Sequence, residues 1–443
     1  MYVFLFCLLF FSLCFKSVSW AYQKDEEEIK DIVSLSQNCF YYITGDYSDR
    51  ILNVEAQKNM DNQYNKHYFS PWSQSEPSRG LDSLLWPFKW FPYQKTYGEN
   101  RCLRLYGWYE KQKENAQIEH FGSQNKKVIV VEEANLRAFP SNEPVFFDFE
   151  KAGEGYPFDY GQNTTVKPGD PLFVSHLSED GAWAFVDSHA VSGWIDTRRI
   201  AWITEDQIKM WREYPMGVVI KDNLPLLDNE KHFYAKAKIG TILPIVKHFP
   251  LQASYEVLIP VRGLDSNVFF KKIILSDCCI TPKPLDFTKW NAAYIASQFM
   301  HEPYGWGGGN NRRDCSATTQ DFFAVFGLWL PRNSKAQASQ GISVDVKGLP
   351  LIEKEKTVLS QGKPFLTLAA LPGHIMLYIG TYHDKPVFLH NLWGIRTLVE
   401  EKEGRLIIGR TVITSLEAGN ELSSIVEKSI IGNRVTHFVV LSD

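Results

Sequence analysis

Cysteine is scarce in this sequence, 7 among 443 residues. No two of them stand as CxxC and no HExxH occurs, so neither a structural nor a catalytic zinc site is indicated, and no cofactor is expected. A basic surplus is missing too: 47 Lys and Arg against 51 Asp and Glu leave a net charge of −4. With nothing to neutralise a phosphate backbone, nucleic acid is excluded as the expected partner. Long hydrophobic runs are absent apart from Tyr2 to Phe15 in "MYVFLFCLLFFSLCFK", which is too short for a comfortable membrane span. That run reads as the apolar stretch of a signal peptide. Ser19-Trp20-Ala21 supplies small residues for cleavage, so residues 1–21 are expected to leave on export, with no stable membrane insertion afterwards. Loss of Lys16 would take the net charge from −4 to −5. Five cysteines would remain: Cys39, Cys102, Cys278, Cys279 and Cys315. Cys39 and Cys102 could pair in an oxidising compartment, whereas adjacent Cys278 and Cys279 read as buried packing.

What is present is ordinary globular composition, 44% hydrophobic and 22% charged, with a high share of aromatics at 14%. The length exceeds one hydrophobic core, so several domains are expected. Residues 22–125 begin with a charged amphipathic helix, "KDEEEIKDIVSLSQNCFYYI", and continue through Pro- and Trp-rich loops such as "YNKHYFSPW". From Lys126 the texture changes to short β-branched and aromatic runs cut by turn residues, and "SEDG" before "AWAFVDS" suits a hairpin. A second such set follows, so residues 126–204 and 205–283 are expected to be two small consecutive barrels. A Pro-rich linker at 282–285 leads into a mixed α/β region, 284–443. The fold class is α+β multidomain.

The stretch "NNRRDCSATTQDFFAVFG" places Cys315 in the first turn of a helix, where the dipole and free N–H groups favour a thiolate. Two histidines offer partners. "PGHIMLYIG" and "PVFLHN" alternate as strands around the turn "TYHDK", and a hairpin centred on Tyr382 sets His374 directly opposite His390, about 5 Å apart at Cβ. The other face would then collect Ile375, Leu377, Ile379, Val387 and Leu389 as core. A nucleophile, a base and a group that orients the base are the parts of thiol catalysis. On residue type alone, Asp314 is equally an N-cap and Ser334 equally a turn residue.

Taken together, "PYGWGGGNNRRDCS", "LPRNSKAQASQG", "PGHIMLYIG" and "FLHN" resemble the NlpC-type, papain-like cysteine peptidases of peptidoglycan. The upstream chain resembles a subgroup with an N-terminal stabilising domain and two bacterial SH3-like barrels. The resemblance implies hydrolysis of the amide between γ-D-glutamate and a diamino acid in stem peptides, by a monomer in the periplasm or cell wall. Cys315 would attack, His374 would act as general base and His390 would orient it. Tyr304 would join the Cys315 backbone N–H in holding the oxyanion, and Asp314, Ser316 and Ser334 would hold substrate. In the subgroup the first barrel caps the groove and selects a free N-terminal L-alanine. Asp314 with Asp159, Asp180 or Glu179 would then take the ammonium, and Trp183 and Tyr160 would form a wall. Ala317 departs from the glycine common after Asp-Cys-Ser, and the stretch from Gly341 to Ala370 is long. The alternatives are an N-acetylmuramoyl-L-alanine amidase or acyl transferase on the same fold, and a non-catalytic wall-binding scaffold.

Overall fold

Period-two patterning between Lys126 and Trp202 yields seven short antiparallel strands in the computed structural model, which describes residues 29–92, 95–399 and 401–441. The expected signal segment, residues 1–21, lies outside the described residues. Across the sheet the strands run Gln162–Val166, Ala134–Arg137, Ser192–Asp196, Trp183–Asp187, Pro171–Leu177, Lys126–Val130 and Ile200–Trp202. "SEDG" does turn a hairpin between the fourth and fifth of these in chain order. The strands are buried on both faces. Val128, Leu172, Val174, Val186 and Ile195 fill the inside, while Trp183, Phe185 and Trp194 point outward against Leu84 and Ala116 of the N-terminal region.

Thr204 then opens helix Glu205–Glu213 with a reciprocal capping box to Gln207, and a second β domain follows. It consists of a five-stranded sheet and a two-stranded hairpin, Leu224–Leu227 with Phe233–Ala237. Cys278 and Cys279 lie where its last strands meet, exposed and half-exposed with their sulfurs 3.7 Å apart, so they are not the buried pair expected. Cys39 and Cys102 are both free: Cys39 is buried in the C-terminal core and Cys102 is exposed on the surface.

The N-terminal region is helical but has no core of its own. Leu35, Cys39, Tyr42 and Leu52 join the core of the C-terminal domain. Tyr64, Tyr68, Phe69 and Trp72 pack with the second β domain, and Leu84, Phe91 and Tyr109 pack with the first. Its polar groups reach equally far: Asp31 accepts from Ser415, and Gln57 donates to the carbonyls of Leu285 and Phe326. The segment is a strap around the other three units.

The C-terminal domain is a six-stranded sheet in the order Ile342–Asp345, His437–Val440, Thr367–Leu371, His374–Tyr382, Lys385–Val399 and Lys402–Thr414. The long stretch after Gly341 forms its edge strand and helix Leu351–Gln361. Ile375, Leu377, Ile379, Val387 and Leu389 share one face, as patterning required, and meet helices Lys289–Gln298 and Cys315–Val325. The opposite face is a second core, with Met376, Tyr378 and Phe388 packed on Val358, Ile431 and Phe438. The two histidines therefore sit at the rim of a buried face and not on an open one.

Candidate active site

His383 and Asp384, both with left-handed φ (45° and 61°), form a two-residue turn, so the hairpin is centred between them and pairs Tyr382 with Lys385. A bulge between Tyr378 and Gly380 shifts the ladder, and Leu377 pairs with Leu389. The expected centre on Tyr382 was too early. In the observed register His390 is the diagonal neighbour of His374, two places short of direct opposition, on the same face. Long side chains bridge that offset: His374 Nε2 and His390 Nδ1 are 2.7 Å apart.

The next bonds fix the tautomers. Thr414 Oγ1 donates to the Ser415 carbonyl at 2.9 Å and lies 3.0 Å from His390 Nε2. With its proton committed, the threonine oxygen accepts from His390 Nε2–H. Nδ1 of His390 is then unprotonated and accepts from His374 Nε2–H, which leaves Nδ1 of His374 as a free base. Thr414 was not among the residues singled out in the sequence; the alternation of "TVIT" into the histidine strand's partner was the available signal.

Helix Cys315–Val325 begins at Asp314, whose side chain accepts from the Ala317 N–H as an N-cap. Cys315 is buried, with the backbone N–H groups of Ser316 and of Ile375, the residue after His374, close enough to favour its thiolate. Burial and the Asp314 carboxylate outweigh them and push the thiol up to about 12. Burial therefore works against the thiolate expected from the helix start. Burial, helped by Arg434, holds His374 down to about 3 against the pull of Asp314, and burial with His374 holds His390 lower than an ordinary histidine. Among the described residues His374 bonds to His390 and makes no hydrogen bond to the thiol. Burial favours the neutral form of both thiol and imidazole.

Arg332, inside the quoted "LPRNS" but given no role there, is the main partner of Asp314. Its Nη2 and Nη1 donate to the two carboxylate oxygens at 2.8 and 3.0 Å, its Nη1 also to Ser316 Oγ at 2.8 Å, and its Nε to Thr164 Oγ1 at 2.7 Å. Asp314 further accepts from Gly307 N at 3.0 Å and Ser316 Oγ at 3.2 Å. Burial would raise its pKa, but the guanidinium and these bonds hold it below the usual value. The carboxylate is saturated and its charge neutralised. Asp159 is likewise tied to Arg137 at 2.5 Å, and Asp180 to Ser178 and Asn115 away from the site. Glu179, the remaining candidate for an ammonium, is exposed beside Glu119 and Phe121.

Tyr304 is buried, and burial with the nearby Cys315 and Asp314 keeps its hydroxyl protonated, a donor. Ser334 opens the short helix Ser334–Gln337, half-buried, and Gln337 anchors that helix to the Ser316 carbonyl at 2.9 Å. Ala317 continues the nucleophile helix, half-buried beside a small polar cavity, without disturbing it. The glycine run has a steric reason. A Cβ on Gly307 would lie 2.6 Å from the Gln162 carbonyl oxygen, and one on Gly308 2.8 Å from Thr165 Oγ1, both in the first barrel. Gln162 Nε2 donates to the Gly307 carbonyl at 3.2 Å. Of the expected wall residues, Tyr160 meets Trp306 with centroids 5.3 Å apart, whereas Trp183 packs in the barrel's contact with the N-terminal strap.

Behind the nucleophile, Arg313 is fully buried. It donates to Asp222 of the second barrel at 2.7 and 2.9 Å, to Glu302 at 2.9 Å and to Asp321 at 2.7 Å. Its carbonyl accepts from Asn391 Nδ2 at 2.9 Å and from Gly305 N at 2.9 Å, which joins the histidine strand to the nucleophile turn.

Four family models match along the chain: the NLPC_P60 stabilising domain at residues 3–121, an SH3 domain of SH3b1 type at 144–196, an SH3 domain of SH3b2 type at 205–248, and the NlpC/P60 family at 301–404. A comparison with curated proteins gives no match. Among solved structures, an NlpC/P60 endopeptidase from Photobacterium damselae subsp. piscicida superposes with a TM-score of 0.82 at 24% identity, covering 92% of this chain and 97% of its own, which shows a shared fold. An NlpC/P60 family protein from Bacillus cereus reaches a TM-score of 0.48 at 17% identity, covering 72% of this chain and all of its own. With its stabilising region, its two SH3 domains and its C-terminal domain matched in order, the chain carries the domain set of the NlpC/P60 family of cell-wall cysteine peptidases, which supports a peptidoglycan hydrolase.

Proposed function

We propose that the enzyme hydrolyses the γ-D-glutamyl–diamino acid amide of peptidoglycan stem peptides, after export to the periplasm or cell wall, as a monomer. The observation that carries this reading is the chain from Thr414 through His390 to His374, which leaves His374 Nδ1 unprotonated at the strand end the Cys315 thiol touches. With burial favouring the neutral forms of both groups, attack is coupled to proton transfer. As Cys315 Sγ adds to the glutamyl carbonyl, its proton passes to His374 Nδ1, and His390 shares the imidazolium charge through the bond at Nε2. The oxyanion is held by the Cys315 backbone N–H and the Tyr304 hydroxyl. His374 then protonates the leaving amine, and water, deprotonated by the same nitrogen, releases the acyl group.

Defined tripeptide and tetrapeptide stems, both free and attached to muramic acid, incubated with the enzyme and analysed by mass spectrometry, test this reading. The expected products are L-alanyl-γ-D-glutamate and a free diamino acid or its dipeptide. Cys315→Ala should abolish turnover with the fold intact, and His390→Asn should keep more activity than His374→Asn. Release of the peptide from muramic acid in place of these products would assign an amidase; binding without any turnover would assign a scaffold.

A further inference from the structure

A line of aromatic rings leaves the active site across the first barrel. Tyr304 lies 5.7 Å from Trp393 by ring centroids, and both flank Phe158 at 6.3 and 5.8 Å. Phe158 meets Trp306 at 5.2 Å, and Trp306 meets Tyr160 at 5.3 Å. Tyr160 meets Trp90 at 5.9 Å, and Trp90 meets Trp86 at 6.1 Å. Three units contribute: the C-terminal domain, the 144–161 loop of the first barrel and the N-terminal helix Asp82–Trp90. Phe158 is buried and works as a foundation. Trp393, Trp306, Tyr160 and Trp86 are only half-buried, and Trp90 is 52% exposed. Trp90 also packs on Phe91 and Phe147 at 4.9 and 5.6 Å, yet half of it stays open in line with four half-buried rings.

Resting on the function proposed above, we infer that this aromatic row is a binding track for the glycan strand of peptidoglycan, so that the substrate is a stem peptide still attached to its sugars. Two observations choose this occupant. First, the row is continuous with Tyr304 at the nucleophile, so its ligand must be covalently part of the substrate or a direct extension of it. Rings with rigid apolar faces and polar edges suit pyranoses, whose C–H faces stack on aromatics while their hydroxyl and acetamido groups stay in water. Second, Asp314 and Asp159, two of the carboxylates expected to take a free N-terminal ammonium, are both engaged by arginines. An unpaired ammonium there would be unfavourable, whereas an L-alanine acylated by the lactyl group of muramic acid carries no charge.

The test uses Cys315→Ala protein, which binds without turnover, and peptide-free strands of alternating N-acetylglucosamine and N-acetylmuramic acid as the probe. Saturable binding, read by tryptophan fluorescence, is expected. Trp90→Ala should weaken it at least tenfold, and Trp90→Phe, which keeps a ring, should recover most of the loss. In the active enzyme, kcat/KM for glycan-attached tetrapeptide should exceed that for free tetrapeptide at least tenfold, and the ratio should fall toward one in Trp90→Ala. No saturable binding of the strands, or equal binding by Trp90→Ala, overturns the track. Strand binding that depends on Trp90, with cleavage elsewhere than the γ-amide, would overturn the proposed bond and leave the track standing.

Discussion

The two barrels border the same catalytic domain in different ways. The first meets the front of the site through neutral contacts: Gln162 on the Gly307 carbonyl, Thr164 on Arg332, and the rings of Phe158 and Tyr160 on Trp306. The second meets the back through charge. Asp222 takes two bonds from buried Arg313, one residue before Asp314, and Ile239 N braces the same carboxylate at 3.1 Å. Lys167 of the first barrel joins the two, pairing with Asp321 of the nucleophile helix and donating to the Ile239 carbonyl at 3.2 Å. One barrel shapes what reaches the thiol, and the other fixes where the thiol's backbone stands.

The largest expected effect concerns the histidine pair in the site that the barrels border. His374 and His390 are depressed below the unfolded value near 6.5, so unfolding takes up protons in acid. Their contribution to stability is complete above about pH 6.5, declines as pH falls, and levels off near the folded value of about 3 for His374. Urea denaturation from pH 3 to 8 should show this slope, and a His374→Gln, His390→Gln variant should flatten it. A wild-type profile already flat in that window would mean the imidazoles are open to water.

How much of this was legible beforehand differs between the regions in the same way. Alternation in "PGHIMLYIG" placed Ile375, Leu377 and Ile379 together on a core face, because a period of two is local information. It did not reveal that Met376 and Tyr378 face a second core, since that depends on helix Leu351–Gln361 arriving from elsewhere. The hairpin register was missed because a two-residue turn with left-handed His383 and Asp384 is unusual for those residues, and because the bulge at Tyr378 leaves no mark in the pattern. The thiol's ionisation was misjudged for a related reason. A helix start favours thiolate locally, but burial and the Asp314 carboxylate oppose it. Arg332 and Asp222, more than 100 residues apart, act on Asp314 and Arg313 from outside the nucleophile motif, and no spacing announces such pairs. Trp183 and Tyr160 looked alike in sequence, yet only Tyr160 reaches the catalytic domain's aromatic row.

The second barrel's charge contact gives the next effect. Asp222→Ala leaves Arg313, 1% exposed as a side chain, with Glu302 and Asp321 alone to balance it. Removing one partner of a buried ion pair costs about 3 kcal/mol. Chemical denaturation should show a loss of that size, and kcat should fall with KM little changed, because the backbone carrying Cys315 loses its brace while the substrate loop keeps its own. A rise in KM with kcat intact would reverse the roles given to the two barrels.

Thr164→Val is the matching cut on the first barrel and should be the smaller one. It keeps shape and removes the acceptor for Arg332 Nε, along with a long 3.3 Å bond from the hydroxyl to the Thr165 carbonyl, while the arginine's other bonds, to Asp314 and Ser316, remain. A single hydrogen bond to a charged group is worth about 1.5 kcal/mol, so the stability loss should be about half that of Asp222→Ala. Its signature should lie in specificity. Arg332 freed at Nε can tilt, its fork on Asp314 loosens, and the carboxylate regains part of its charge. Free stem peptides, whose N-terminal ammonium seeks such a carboxylate, should then gain in kcat/KM relative to N-acetylated ones. The comparison calls for the two peptides assayed side by side in wild type and variant. An unchanged ratio, with Asp222→Ala shifting it instead, would show that the second barrel and not the first governs what the site accepts.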